Sequence, residues 1–179
     1  MKKKTLVLII IGVFVLAGIG AAISFATRKG AEKIAENIVN KATNGQVDID
    51  YNSNSVVMNT NGGSLKTGDN VKLPDDFPKD VYVIDGNIKA AITSAENDGH
   101  HLSIETTTSP AEAYAKYEEM IKADGWTATT TGTYSGVYTA MATKDDRYLT
   151  VSISDSDGKT MVVLTVYRQA NTNTTPSAE

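Results

Sequence analysis

The chain has 179 residues and no cysteine, which excludes disulfides, thiolate metal sites and cysteine nucleophiles. Residues 1–41 hold seven Lys and Arg against two Glu, whereas residues 42–179 hold ten Lys and Arg against nineteen Asp and Glu. The larger part of the chain therefore carries a net charge of −9, and this charge argues against nucleic acid as a partner because phosphate groups would repel it.

An uncharged stretch of 21 residues runs from Leu6 to Ala26, directly after three lysines and a threonine. As a helix it spans about 30 Å, the thickness of the hydrocarbon core of a membrane. A secretory signal usually has a shorter apolar run, so the length favours a retained transmembrane helix that contacts membrane lipid. We assign residues 1–29 to a cytoplasmic tip and membrane anchor, with the domain extracytoplasmic. A signal peptide that is cleaved after Ala26, giving a secreted protein, is the alternative.

Small residues recur at four-residue spacing within this stretch. Gly18 and Ala22 give the pattern that lets two membrane helices approach closely, and they are the predicted helix-packing positions. Small residues also accumulate at the end of such segments without any packing role, so self-association here is a hypothesis.

Residues 30–71 predict a short amphipathic helix followed by a small β-meander. The helix over residues 31–42 has apolar positions on one face, and Asn44-Gly45 ends it. The stretches 46–51 and 55–60 then alternate apolar and polar residues, and Asn61-Gly62-Gly63 predicts the turn into a third strand.

Residues 72–80 predict an extended connector, because "KLPDDFPKDV" has two prolines and three aspartates. Residues 81–168 follow as an α+β domain. It begins with two strands, "NIKAAITSA" and "HLSIETT", around a turn at Asp98-Gly99. Residues 169–179 are polar and predict a disordered tail.

The strongest local signal in the domain is a helix that starts at Ser109. Pro110 stands at the first helical position and Glu112 completes a capping box, while Gly125 ends the helix. Strands at 126–132, 136–143, 147–154 and 160–167 give the order ββαββββ. The predicted fold class is therefore α+β: an N-terminal transmembrane helix, a short helix and meander, then a mainly antiparallel sheet with one long capped helix.

The connector, the strand pair, the helix ending in Gly-Trp and the Thr-rich strands together resemble a family of uncharacterised membrane-anchored or lipid-anchored envelope proteins of bacteria. This resemblance covers most of residues 30–168. It implies no activity and no functional residues.

Catalytic and metal-binding candidates are few. His100 and His101 are adjacent on a strand, so their side chains point to opposite faces, and we interpret both as solvated turn residues. Asp157-Gly158 predicts a turn between the last two strands, and Gly158 does not have calcium ligands at EF-hand spacing. The clusters Asp75, Asp76 and Asp80, and Asp145 with Asp146, contain carboxylates that a hydrolase needs, but Asp in turns usually makes local hydrogen bonds. We predict no catalytic residues, metal or cofactor, and we assign Tyr117 and Trp126 to the core.

The sheet offers a candidate binding surface. If the helix covers the face with Leu149, Val151 and Ile153, the other face displays four large side chains, Tyr148, Met161, Val163 and Tyr167. The alternative, favoured because exposed apolar patches are uncommon on soluble domains, is that the helix and meander over residues 31–71 cover this face, in which case no surface is free.

The leading prediction is a membrane-tethered, extracytoplasmic binding or interaction module without catalytic activity, whose partner is a ligand, a protein or a second copy of the chain. A structural accessory that oligomerises through the membrane helix or the sheet face is the alternative. An Asp-dependent envelope hydrolase is the third hypothesis.

Overall fold

The computed structural model describes residues 47–52, 55–69 and 71–169. They belong to one compact unit, Gln46–Glu179. The predicted transmembrane helix with Gly18 and Ala22, the helix over residues 31–42 and the tail beyond residue 169 lie outside the described residues. Within the described residues, no helix has the length and hydropathy needed to cross a membrane.

The described chain forms nine strands and one helix. The strands are β1 (Val47–Asn52), β2 (Ser55–Thr60), β3 (Gly63–Gly68), β4 (Asn87–Ser94), β5 (Gly99–Thr106), β6 (Thr127–Tyr134), β7 (Val137–Lys144), β8 (Arg147–Ser156) and β9 (Lys159–Arg168), and the helix is α1 (Pro110–Ala123).

All nine strands form a single antiparallel sheet in the order β1-β2-β3-β4-β5-β9-β8-β7-β6. Neighbouring strands are consecutive in the chain except where β5 pairs with β9. Helix α1 carries the chain from β5 to the far edge, and β6 to β9 then return towards β5. The β8–β9 hairpin closes through Asp157 and Gly158, both at positive φ, as the sequence predicts for an Asp-Gly turn.

The predicted α+β class is wrong for the described chain, which is a sheet of nine strands with a single helix of 14 residues. The predicted meander does not stand apart from the later strands, because β3 pairs directly with β4. Prolines and aspartates between them interrupt the strand pattern along the chain. They do not interrupt the sheet, because the chain folds back after them and brings β4 alongside β3.

The segment between β3 and β4 lies against the sheet. Three of its apolar side chains, Phe77, Val81 and Ile84, are buried in the same core cluster as the strands. The backbone N–H of Ile84 donates a hydrogen bond to the Tyr117 hydroxyl on α1, at 3.3 Å. We call residues 71–86 the connecting segment.

Helix α1 has the predicted cap. Ser109 and Glu112 exchange side-chain to backbone hydrogen bonds, which complete the capping box, and Gly125 takes a φ of +76° just after the helix. The helix packs on β6, β7 and β8. Tyr117 and Trp126 are both buried, which confirms their assignment to the core.

The face of the sheet beneath α1 and the connecting segment is the covered face. Its strand residues alternate with those of the opposite face and are almost fully buried, as predicted for β8 and β9: Leu102, Ile104, Ala140, Ala142, Leu149, Val151, Ile153, Val162, Leu164 and Val166. This alternation fixes which side chains each strand presents on the opposite face.

Candidate functional site

The face of the sheet opposite α1, which we call the open face, holds all four residues of the predicted binding surface. Tyr148 and Tyr167 are register partners on β8 and β9, and their rings stack with centroids 5.5 Å apart. Val163 lies opposite Ser152 on the same strand pair. Met161 accepts a hydrogen bond through its sulfur from Ser103, at 3.2 Å. The structure thus groups these four side chains, all partly buried, on one surface.

The open face continues across the neighbouring strands with further apolar side chains. Ile92 of β4, Leu65 of β3 and Met58 of β2 are register partners in one row. Each is partly buried. These three residues were not predicted as part of the surface, because the meander was expected to lie on top of the sheet. Their period-two alternation within each strand was the available signal.

The described residues contain one helix, α1, and its buried side chains join the core of the covered face. The connecting segment also packs on that side. Within the described ranges, no element packs across the open face. The predicted cover by the meander is wrong because β1, β2 and β3 extend the sheet sideways, whereas the predicted cover by residues 31–42 lies outside the described residues.

The two histidines lie on opposite faces of β5, as the alternation of a strand requires. His101 is on the open face, where its Nδ1 is 2.9 Å from the Thr165 hydroxyl, and burial lowers its pKa. His100 is on the covered face, 6% exposed, with its ring edge against Phe77. Their assignment as solvated turn residues is therefore wrong. The strand continues back to Gly99, and the connecting segment covers His100.

A polar cleft of about 520 Å³ lies on the covered face, at the end of the sheet where the β4–β5 turn meets the ends of β8 and β9. The connecting segment forms one wall. Its charged and titratable lining residues are Asp76, Asp80, Asp98, His100, Arg147 and Arg168.

Asp80 fixes the connecting segment against the sheet. Its carboxylate accepts two hydrogen bonds from Arg147, at 2.9 and 2.6 Å, and one from Lys144, at 2.7 Å. Its backbone carbonyl accepts the Trp126 indole N–H at 2.7 Å, and the Arg147 guanidinium lies 4.9 Å from the centre of the Trp126 ring. The hydrogen bonds from Arg147, with Lys144 assisting, hold the pKa of Asp80 well below its usual range. This carboxylate is therefore kept ionised.

Arg168 organises the other wall of the cleft. Its guanidinium donates to Asp98 at 2.8 Å and to both oxygens of Asp146 at 2.9 Å. The hydrogen bonds from Arg168 lower the pKa of Asp146. Asp98 was predicted only as a turn residue, because its partner Arg168 lies 70 positions away and the two meet only through the fold. Thr93, which also lines the cleft, was not predicted as a site residue.

The predicted aspartates fall into two groups. The cleft brings Asp76 and Asp80 together, and Asp146 contacts Arg168 at its edge. Asp75 and Asp145 do not line it. Among the described residues, no three His, Asp or Glu side chains are grouped so that they could hold a metal ion.

Comparison with known proteins gives one finding on this part of the chain. A sequence model of the family described as START domain-like matches residues 88–159, from β4 to the first residue of β9. No curated protein and no solved structure matches the chain significantly. The match covers less than half of the 179 residues. It includes Tyr148 of the open face and strands β5 to β8, whereas Met161, Val163 and Tyr167 of β9 lie beyond it.

Proposed function

We propose that the protein is a membrane-tethered, extracytoplasmic binding module that takes a hydrophobic ligand with an acyl chain on the open face. The observation that carries this proposal is the grouping of Tyr148, Met161, Val163 and Tyr167 on a sheet face that no described element covers. A sheet with apolar side chains on both faces is normally covered on both, so this face is suited to a partner.

The chemistry of the open face suits an amphipathic ligand. Tyrosine combines a large apolar ring with a hydroxyl that stays hydrated. The stacked pair Tyr148 and Tyr167 lies beside a row of threonines and serines, and the methionine and aliphatic residues lie beyond them. An acyl chain that lies along Met161 and Val163 leaves its polar end near the hydroxyls of Tyr148 and Tyr167.

The family similarity supports the same class of ligand. START-like domains generally are binding modules for hydrophobic molecules, and the matched region includes β4, β5 and β8. The similarity does not extend to β1–β3. We therefore expect Tyr148 and Ile92, both within the matched region, to contribute to binding.

Tethering rests on the uncharged stretch 6–26, whose length corresponds to a membrane span. If this stretch is retained, mass spectrometry of the protein isolated from its own membrane fraction will find residues 1–26. An N-terminus at Thr27 would instead show a cleaved signal and a secreted protein.

We propose a binding role without catalysis. A glycoside hydrolase needs one carboxyl that stays protonated near neutral pH, with a raised pKa. In the cleft the pKa of Asp80 is lowered, and so is that of Asp146 beside it. Both carboxylates are engaged by arginine, which argues against the Asp-dependent hydrolase.

Photolabelling tests the ligand proposal directly. The full chain in nanodiscs is incubated with a fatty acid that carries a diazirine, irradiated, digested and mapped by mass spectrometry. We expect labelled peptides from β8 and β9. Tyr148→Ser with Tyr167→Ser removes two aromatic contacts of about 1 kcal/mol each, so labelling should fall roughly tenfold or more.

The matched control is Tyr134→Ser, because Tyr134 is 86% exposed at the β6–β7 turn and its loss should leave labelling unchanged. Fluorescence of Trp126 verifies that each variant is folded. Equal labelling in the double variant would overturn the proposal. Loss of self-association in the double variant, with no acyl labelling in any variant, would favour the structural accessory instead.

A further inference from the structure

We propose that the polar cleft at the β4–β5 end of the sheet is a second binding site, for a neutral, polyhydroxylated ligand of the saccharide class. The cleft lies on the covered face, so the sheet separates it from the open face. This inference is independent of the acyl-chain proposal, because the two sites share no residue.

The cleft has the dimensions of a small-molecule site. Its volume of about 520 Å³ lies within the range of roughly 300–1,000 Å³ that ligand pockets occupy. Strand residues Thr93, His100 and Val166, which are register partners, form one side, and the connecting segment forms another. A rigid sheet therefore supports the site.

The charges of the cleft favour a ligand without net charge. Three carboxylates and two guanidinium groups line it, and Lys144 and Asp146 add one charge of each sign at its edges. Arg147 and Arg168 are already paired with carboxylates, and the lining carboxylates outnumber the guanidinium groups, so the cleft does not favour an anion. A cation would meet Asp76 as an exposed carboxylate without a partner among the described residues, and such an exposed ion pair contributes little to binding.

Hydroxyl groups match the polar atoms that remain available. Asp76 makes no hydrogen bond to a described residue, while Arg168 uses Nε and Nη1 in its ion pairs, so its Nη2 stays available. These groups include acceptors and donors side by side. A hydroxyl both donates and accepts, so neighbouring hydroxyls of a sugar ring can satisfy a carboxylate and a guanidinium together. Pro78 and Val166 supply apolar surface for the C–H groups of the ring.

His100 gives a second, independent indication. It lines the cleft and is only 6% exposed, and its Nδ1 has no hydrogen-bond partner in the described structure. Buried polar atoms normally have one. A hydroxyl satisfies either tautomer of the ring, because it can act as donor or acceptor.

The experiment uses the full chain in nanodiscs, because maltoside detergents would themselves present sugars. A panel of neutral monosaccharides and disaccharides, including glucose, galactose, N-acetylglucosamine and maltose, is titrated by isothermal calorimetry up to 50 mM. Acetate and methylammonium serve as charged probes. We expect at least one neutral sugar to bind and neither charged probe to do so.

The paired variants are Asp76→Ala and Asp75→Ala. Both aspartates are exposed neighbours in the connecting segment, but Asp76 lines the cleft and Asp75 does not. Loss of a charged hydrogen-bond acceptor should weaken sugar binding about tenfold or more in Asp76→Ala and leave Asp75→Ala unchanged. The inference is overturned if no sugar of the panel binds, if acetate or methylammonium binds more tightly, or if the two variants behave alike.

Discussion

Asp80 holds the connecting segment on the sheet, and its replacement by asparagine tests this role. The carboxylate accepts three hydrogen bonds from cations, each worth about 1.5–3 kcal/mol when fully buried. Its side chain is 33% exposed, so solvent screening reduces their sum. Asparagine also keeps one acceptor oxygen. We therefore expect Asp80→Asn to lower the free energy of unfolding by about 2 kcal/mol near pH 7.

The pH dependence of this loss has a definite sign. The pKa of Asp80 in the folded protein lies below its unfolded value of about 3.9, because Arg147 and Lys144 stabilise the charged form. Its contribution is therefore present above about pH 4 and is lost as the pH falls through the lower, folded pKa. The difference between wild type and Asp80→Asn should be constant from pH 5 to 7 and shrink below pH 4.

Urea unfolding followed by tryptophan fluorescence measures both effects. Trp126 is the chain's single tryptophan, and its indole N–H donates to the Asp80 carbonyl, so the signal reports on this part of the domain. Asp75→Asn removes an exposed carboxylate of the same segment and serves as the control. If the two variants lose the same stability, or if the loss at Asp80 grows towards acid, Asp80 does not act as an ionised anchor.

Three further substitutions test local interactions by the same urea unfolding. Tyr117→Phe should cost about 1–2 kcal/mol, because it leaves the buried N–H of Ile84 without an acceptor, whereas a cost near zero would show that this bond is not formed. Ser109→Ala should cost about 1 kcal/mol through loss of the capping box, and Ser109→Asp, which can still cap, should restore most of it. Lys116→Ala should leave stability unchanged despite the ion pair with Glu119, because that pair is exposed; a clear loss would contradict this reasoning.

The local elements of the fold were predictable because their signals lie within a few residues. Alternation and turn residues located the strands, and the cap at Ser109 located the helix. The same signals at Asp157-Gly158 predicted the β8–β9 hairpin and hence which face Tyr148 and Tyr167 share. Strand pairing between neighbours in the chain follows from short-range turn chemistry.

The fold class and the cleft depend on contacts between distant residues. The paired strands β3 and β4 are separated in the chain by the connecting segment, and the ion pair of Asp80 with Arg147 joins residues 67 positions apart. Neither leaves a periodic pattern in the sequence. The spacing of Phe77, Val81 and Ile84 was a usable signal that this segment packs on a core, but prolines and aspartates around it indicated only that a strand ends.

The two proposed sites can be tested separately, because the Asp80 anchor acts on only one of them. Asp80 lines the cleft and fixes the connecting segment that forms its wall, whereas the open face lies across the sheet from that segment. Asp80→Asn should therefore weaken sugar binding while the variant is folded, and labelling of β8 and β9 by the diazirine fatty acid should stay the same. If the substitution lowers both signals together in protein whose Trp126 fluorescence is native, the sheet does not isolate its two faces, and the two sites are coupled.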